Sequence, residues 1–192
     1  MSERIRVLVA LGNPGPDHAR DRHNAGFWLA DRLAERWRLN FSAEKKFKGD
    51  LARLMHGGET LWLLKPMTYM NASGQAIQPL TAFHKIEPDE VLVVHDELDL
   101  PPGTARLKDG GGHGGHNGLR DSHRVIGPGY RRLRIGIGHP GHASRVLSHV
   151  LGAPSADDRA AIEAAIEAGA DAIETILESG WNRGAQQLNS RK

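Results

Sequence analysis

The chain has 192 residues, enough for one domain with a sizeable core and too few for two comfortable ones. It contains no cysteine, which excludes a disulfide framework, a cysteine-ligated zinc site and a thiol nucleophile, leaving hydroxyl, histidine, carboxylate or metal chemistry for any reaction. Net charge is +2 with the histidines neutral, so global charge favours an anionic partner only weakly; the basic residues instead cluster at Lys45, Lys46 and Lys48, at Arg131, Arg132 and Arg134, and at Arg183, Arg191 and Lys192.

Residues 5–11 form a short β-branched run stopped by Gly12-Asn13-Pro14-Gly15, the pattern of a buried strand ending in a turn. Asn24 is placed to cap a helix whose apolar residues Phe27, Trp28, Leu29, Leu33 and Trp37 follow a 3.6-residue period. Residues 51–54 and 61–64 predict two strands of a hairpin turning at Gly57-Gly58, the second ended by Pro66. Residues 71–84 are helical in pattern. Residues 91–94 are continuously apolar, as in an interior parallel strand, and His95-Asp96-Glu97 stands at its exit.

Residues 104–107 suit a further strand, followed by the glycine-dense loop 110–118 and a short helix near 119–125. Residues 132–137 alternate, and the arginines among them predict a strand with one face toward solvent or ligand. Ser155 with Asp157 and Asp158 opens a long helix with Ile162, Ile166, Ile173 and Leu177 on one face, closed by Gly180; the polar tail from Trp181 is expected to be loosely held. The whole predicts a single-domain α/β three-layer sandwich: a twisted, mostly parallel but mixed sheet, with antiparallel members near 47–65 and 104–107, flanked by helices. Nothing before residue 7 resembles a signal peptide and no apolar run approaches the roughly 20 residues of a membrane span, so a soluble, cytosolic protein is expected, and a monomer, because no strongly apolar exposed stripe is evident.

In open α/β sheets ligands bind beyond the carboxyl ends of the strands, which would bring Asn13, Asn71 and Asp96 to one crevice, with His23 beside it and Asn117 at the next helix. His23 is the candidate base, because an imidazole accepts a proton near neutral pH, and Asp96 is the carboxylate that could hold its tautomer. Asparagines suit gripping a carbonyl or an oxyanion, though each alone is explained as well by turn chemistry. His113 and His116 of the glycine loop, with His95, Asp96 and Asp99, raise a metal-dependent alternative, yet no His-Glu-x-x-His pattern occurs. A serine hydrolase has little support: the Gly-x-Ser-x-Gly elbow is absent and Ser73 sits at a helix start.

Six segments in order resemble the bacterial peptidyl-tRNA hydrolase family. They are Leu11-Gly12-Asn13-Pro14-Gly15, Arg22-His23-Asn24-Ala25-Gly26, the run from Lys65-Pro66-Met67-Thr68-Tyr69 to Gly74, the run from His95-Asp96-Glu97 to Gly103, the glycine loop through Asn117-Gly118, and the run from Arg132 to Pro140. The resemblance implies hydrolysis of the ester of peptidyl-tRNA by histidine-activated water, with no metal or cofactor and with tRNA as partner. It implies His23 as general base, Asp96 as its orienting carboxylate and Asn13 as the residue favouring N-blocked substrates. Asn71 and Asn117 would hold the peptide and the tetrahedral intermediate, Tyr69 would contact tRNA, and Lys108 with Arg134 would clamp the 5′ phosphate of the acceptor stem. Two positions depart from the family: His18 stands where many members have a tyrosine expected to contact tRNA, and Asp21 replaces a small hydroxyl residue. A non-catalytic RNA-binding protein, like the organellar splicing factors that resemble this family, is the rival from another class.

Overall fold

The computed structural model describes residues 2–192. Seven strands form one sheet: β1 (Val7–Ala10), β2 (Ser42–Glu44), β3 (Gly49–His56), β4 (Glu59–Pro66), β5 (Val91–Glu97), β6 (Ala105–Asp109) and β7 (Arg131–Gly136), in the order β2-β3-β4-β1-β5-β7-β6. The four central strands β4, β1, β5 and β7 are parallel, and the outer pairings β2–β3, β3–β4 and β6–β7 are antiparallel. The helices are α1 (Ala25–Trp37), α2 (Gly74–Phe83), α3 (Asn117–Ile126), α4 (Val146–Val150), α5 (Ala156–Ser179) and α6 (Trp181–Asn189). None is long and apolar enough to cross a membrane.

Alternation along the strands builds two cores. Leu8 and Ala10 of β1, Leu63 of β4 and Val94 of β5 face α1 and α5, while Val7, Val9, Leu64 and Val93 face α2 and the start of α3. Both faces of the central strands are therefore apolar, which explains why residues 91–94 read as a continuous apolar run. The hairpin turns at Gly57 and Gly58, both at positive φ (57° and 80°), as a two-residue turn that matches strand twist requires. The Ser155 hydroxyl accepts from the amide of Asp158 and caps α5, and Gly180, at φ 94°, ends it.

Two expectations fail. Of the β7 arginines expected to face solvent or ligand, only Arg134 stays partly exposed; Arg132 is buried, as is Arg131 just before that run. The Arg131 guanidinium lies 4.6 Å from the Trp181 ring and donates to the Asp89 carbonyl at 3.0 Å, and Arg132 lies under the glycine loop. The polar composition of the strand misleads because long guanidinium stems bury well when planar partners and carbonyls meet the head group.

The tail, in turn, is not loose. It folds as α6, with Trp181 and Leu188 buried, the Trp181 amide bonded to the Glu3 carbonyl, and the Asn189 side chain bonded to both the amide and the carbonyl of Leu107 on the edge strand β6. Few apolar residues suffice because α6 is short and exposes most of its circumference. Trp181→Ala should accordingly cost about 3–5 kcal/mol of unfolding free energy in a urea titration. A loosely held tail would give a change within about 0.5 kcal/mol.

Candidate active site

The parallel strands β1, β4 and β5 point their carboxyl ends at one edge of the sheet, and the loops that leave them carry the predicted residues. Asp96 is the penultimate residue of β5 and alternates with Val94, so it turns to the α1 face. His23 lies in a single 3-10 turn, Arg22–Asn24, directly before α1. What brings the two together is the close seating of α1: a Cβ on Gly26 would stand 2.5 Å from the Val94 carbonyl oxygen and 2.7 Å from that of Leu11, so only glycine lets the helix start this near the strand ends. His23 Nδ1 consequently lies 2.8 Å from Asp96 Oδ2, both residues buried.

The second carboxylate oxygen is held by a residue that sequence reasoning assigned only to a metal alternative. His116 is the N-cap of α3: its Nδ1 accepts from the amides of Gly118 (3.1 Å) and Leu119 (3.3 Å), so its proton must sit on Nε2, which donates to Asp96 Oδ1 at 2.8 Å. Histidine is not a usual cap residue, and the expected helix started two residues later. The signal was the position itself, directly before the helix and beside a glycine-rich loop. The His23 and His116 rings stand 4.8 Å apart, one on each side of the same carboxylate.

These contacts set the electrostatics. Burial pushes the Asp96 carboxyl up, but the imidazoles of His23 and His116, both bonded to it, outweigh burial and hold the group well below the usual carboxylate range, so Asp96 is an anion. Burial alone would lower the His23 value. The Asp96 charge and hydrogen bond, with a smaller contribution from Asp21, outweigh burial and raise it above the ordinary 6.5. By linkage, protonated His23 contributes stability fully below about pH 6.5 and loses it as pH rises through the raised folded value, so the neutral, basic form is the less stabilised one. His95 behaves oppositely: burial first, and then His116 and Arg132, push it down to about 3, so it is a neutral ring donating Nδ1–H to the Asp96 carbonyl at 2.8 Å.

Asn13 is buried beside this group. Its Oδ1 accepts from the Met70 amide at 2.7 Å, which fixes the amide orientation and turns Nδ2 the other way; among the described residues that Nδ2 has no partner. Asn24 does not cap α1 as expected. Its side chain instead accepts from the Asn13 amide (2.8 Å) and donates to the Asn13 carbonyl (2.9 Å), because a short amide that can satisfy both groups of a buried loop residue gains more there than at a solvated helix end. Asn71, in the turn Met70–Ala72, and Asn117, the first residue of α3, are exposed, as is Tyr69 at 65%.

The two departures from the family pattern form one feature: His18 Nδ1 lies 2.8 Å from Asp21 Oδ2. Lys108 on β6 is exposed, and its cross-strand partner is Arg132; Arg134 is opposite Arg106 and bonds Glu97 at 2.9 Å, so Lys108 and Arg134 share a face as diagonal neighbours.

The set raised for metal binding is not assembled as expected. His113 packs against His123, Asp99 is exposed, and among the described residues the three groups close enough to ligate an ion are His23, Asp96 and His116, whose ligand atoms lie within 4.8 Å of one another. Both carboxylate oxygens already accept imidazole N–H groups, and His116 Nδ1 faces helix amides. An ion held by all three groups would displace these bonds, so the donor set suits proton transfer better than coordination.

The sequence pattern of the peptidyl-tRNA hydrolase family matches residues 7–192. Peptidyl-tRNA hydrolases of Halorhodospira halophila and Haemophilus influenzae are 52% and 50% identical, over 97% and 100% of this chain and 96% and 100% of those proteins. The crystal structure of peptidyl-tRNA hydrolase from Acinetobacter baumannii superposes with a TM-score of 0.95 at 45% identity, covering all of this chain and 97% of that one. Sequence and architecture agree, and the chain belongs to the peptidyl-tRNA hydrolase family.

Proposed function

We propose that the chain hydrolyses the ester joining a peptide to the terminal ribose of tRNA, with His23 as the general base. The observation that carries this reading is the hydrogen bond from His23 Nδ1 to a buried, anionic Asp96, which leaves Nε2 as a lone pair without a partner among the described residues. Nε2 takes a proton from water as the oxygen adds to the ester carbonyl carbon. The imidazolium so formed, stabilised by Asp96, returns the proton to the ribose oxygen as the carbon–oxygen bond breaks. The products are a free tRNA hydroxyl and a peptide carboxylate, and the scheme requires neither metal nor cofactor.

The asparagines divide the rest of the substrate. Asn13 Nδ2 is a fixed donor for a carbonyl of the peptide, which favours N-blocked substrates over a free α-amino group. Asn71 and Asn117, both exposed, serve as donors for the peptide backbone and the oxyanion. Tyr69 offers an exposed ring to tRNA, and His18, through the edge not engaged by Asp21, a second contact. Lys108 and Arg134 hold the 5′ phosphate, with Glu97 giving up part of its hold on Arg134. Contacts of this kind read shape and charge, so many tRNA sequences would be accepted. The substrate is a by-product of translation, which places the activity in the cytoplasm and gives it the role of returning tRNA from abandoned peptides. Every group named comes from one chain, as a monomer requires.

Release of an N-acetylated amino acid from charged tRNA should fall at least about a hundredfold in His23→Ala. Equal rates for the two proteins would reject His23 as the base and leave the non-catalytic RNA-binding reading in its place. Lys108→Ala should weaken tRNA binding and reduce the slope of log affinity against log salt by roughly one. An unchanged slope would remove Lys108 from the phosphate contact.

A further inference from the structure

We propose that Arg132 is a positioning residue for this reaction: by gripping two carbonyls of the glycine loop it fixes the loop so that His116 meets Asp96. The inference rests on the reading that His23, Asp96 and His116 form the reacting end of the site.

Arg132 is buried in β7 and, unlike its neighbours Arg131 and Arg134, which lie near Asp109 and Glu97, has no carboxylate within ion-pairing distance among the described residues. Burying a guanidinium without a counter-ion is costly unless its donors are bonded. Here the two terminal nitrogens donate to the carbonyls of Gly112 and Gly111, the buried Nε has no partner among the described residues, and the guanidinium carbon lies 4.8 Å from the Tyr130 ring centroid. A planar fork presents two donors in fixed geometry to two successive carbonyls, where a rotatable ammonium is not pre-organised to do so.

A second side chain reinforces the same carbonyl. His123 of α3 has Nε2 3.1 Å from the Gly111 oxygen, which requires the proton on Nε2, and its Nδ1 then accepts from the Tyr130 hydroxyl at 2.7 Å. Burial lowers the His123 value and raises that of the Tyr130 phenol, so this arrangement is the neutral one. Arg132, His123 and Tyr130 thus form a platform beneath Gly111.

The loop needs such a platform. Six of the residues 110–118 are glycines, and Gly110, Gly111, Gly114 and Gly115 adopt positive φ, so the unfastened segment would have many conformations of similar energy. One end is tied by the Gly110 amide to the Tyr130 carbonyl (3.1 Å), and the other by His116 to Asp96. Between them, the carbonyls of Gly111 and Gly112 are held by Arg132. The missing side chain of Gly111 also makes room for Lys108, whose Cε and Nζ lie 3.0 Å from where a Cβ would be. One anchored loop therefore packs against the phosphate-side cation of β6 at its start and carries the carboxylate-side histidine at its end.

The test measures kcat, KM and unfolding midpoint for Arg132→Gln, His116→Ala and the double variant, with N-acetylated aminoacyl-tRNA as substrate. Arg132→Gln should lose at least about tenfold in kcat at a temperature where it is fully folded, with KM within about twofold, and Arg132→Lys should fall between it and wild type. The double variant should be no slower than His116→Ala alone within about twofold, because both changes break one linkage. Wild-type kcat in folded Arg132→Gln, or losses that multiply in the double variant, would overturn the proposal. Should Arg132→Gln not fold, His123→Leu, which deletes one bond to Gly111 together with the acceptor of the Tyr130 hydroxyl, is expected to lower kcat about threefold without adding to His116→Ala; a multiplied loss would again overturn it. Solvent exchange of the ring protons, followed by NMR, reads the same linkage without substrate. The His116 Nε2 proton should exchange faster in Arg132→Gln (or His123→Leu) while the His23 Nδ1 proton persists, and unchanged His116 exchange would contradict the inference even if wild-type protein proved inactive on tRNA esters.

Discussion

A single buried carboxylate, taken by a ring nitrogen on each side, is the constraint on which the active end of this protein depends. Asp96 sits near the end of a central strand, out of reach of bulk water, where an unpartnered anion would be neutralised. Two imidazoles prevent that, one arriving before α1 and the other at the start of α3. The local devices around the site serve this meeting. Gly26 seats α1 against the strand ends, the first amides of α3 hold His116 in the tautomer that donates, and His95 pins the backbone at Asp96 itself.

The two rings do not hold equivalent positions. His116 spends both nitrogens on the protein, one on helix amides and one on Asp96, so it has nothing left to offer a substrate. His23 spends only Nδ1. The same carboxylate that makes Nε2 of His23 a stronger base also stabilises its protonated form, so the site trades readiness near neutral pH for strength of proton uptake. The buried Asn13 follows the same logic of divided atoms: the main-chain groups go to Asn24, the carbonyl of the side chain to Met70, and the amide nitrogen is left over.

Much of the scaffold was legible because periodicity and turn chemistry report local physics. The apolar run at 91–94, the Gly57-Gly58 hairpin, the Ser155 cap and the Gly180 stop each follow from residues in contact along the chain. The convergence of Asn13, His23 and Asp96 was legible for a different reason, since parallel strands must deliver their exits to one edge. What escaped depended on partners remote in sequence. Asn24 is a sound cap by type, yet Asn13 offers it better bonds. Arg131 and Arg132 look solvated until Trp181, Tyr130 and loop carbonyls are placed against them. The tail looks polar until Asn189 finds the open edge of β6, and His116 looked like a metal ligand because its cap role appears only once the start of α3 is fixed.

The central claim is most directly tested by following the His23 ring nitrogens by NMR through a pH titration of wild type and Asp96→Asn. The account predicts a neutral ring protonated on Nδ1, with a midpoint above 6.5 that falls when Asp96 loses its charge. A ring protonated on Nε2, or a midpoint at or below 6.5 that ignores the Asp96 substitution, would contradict it.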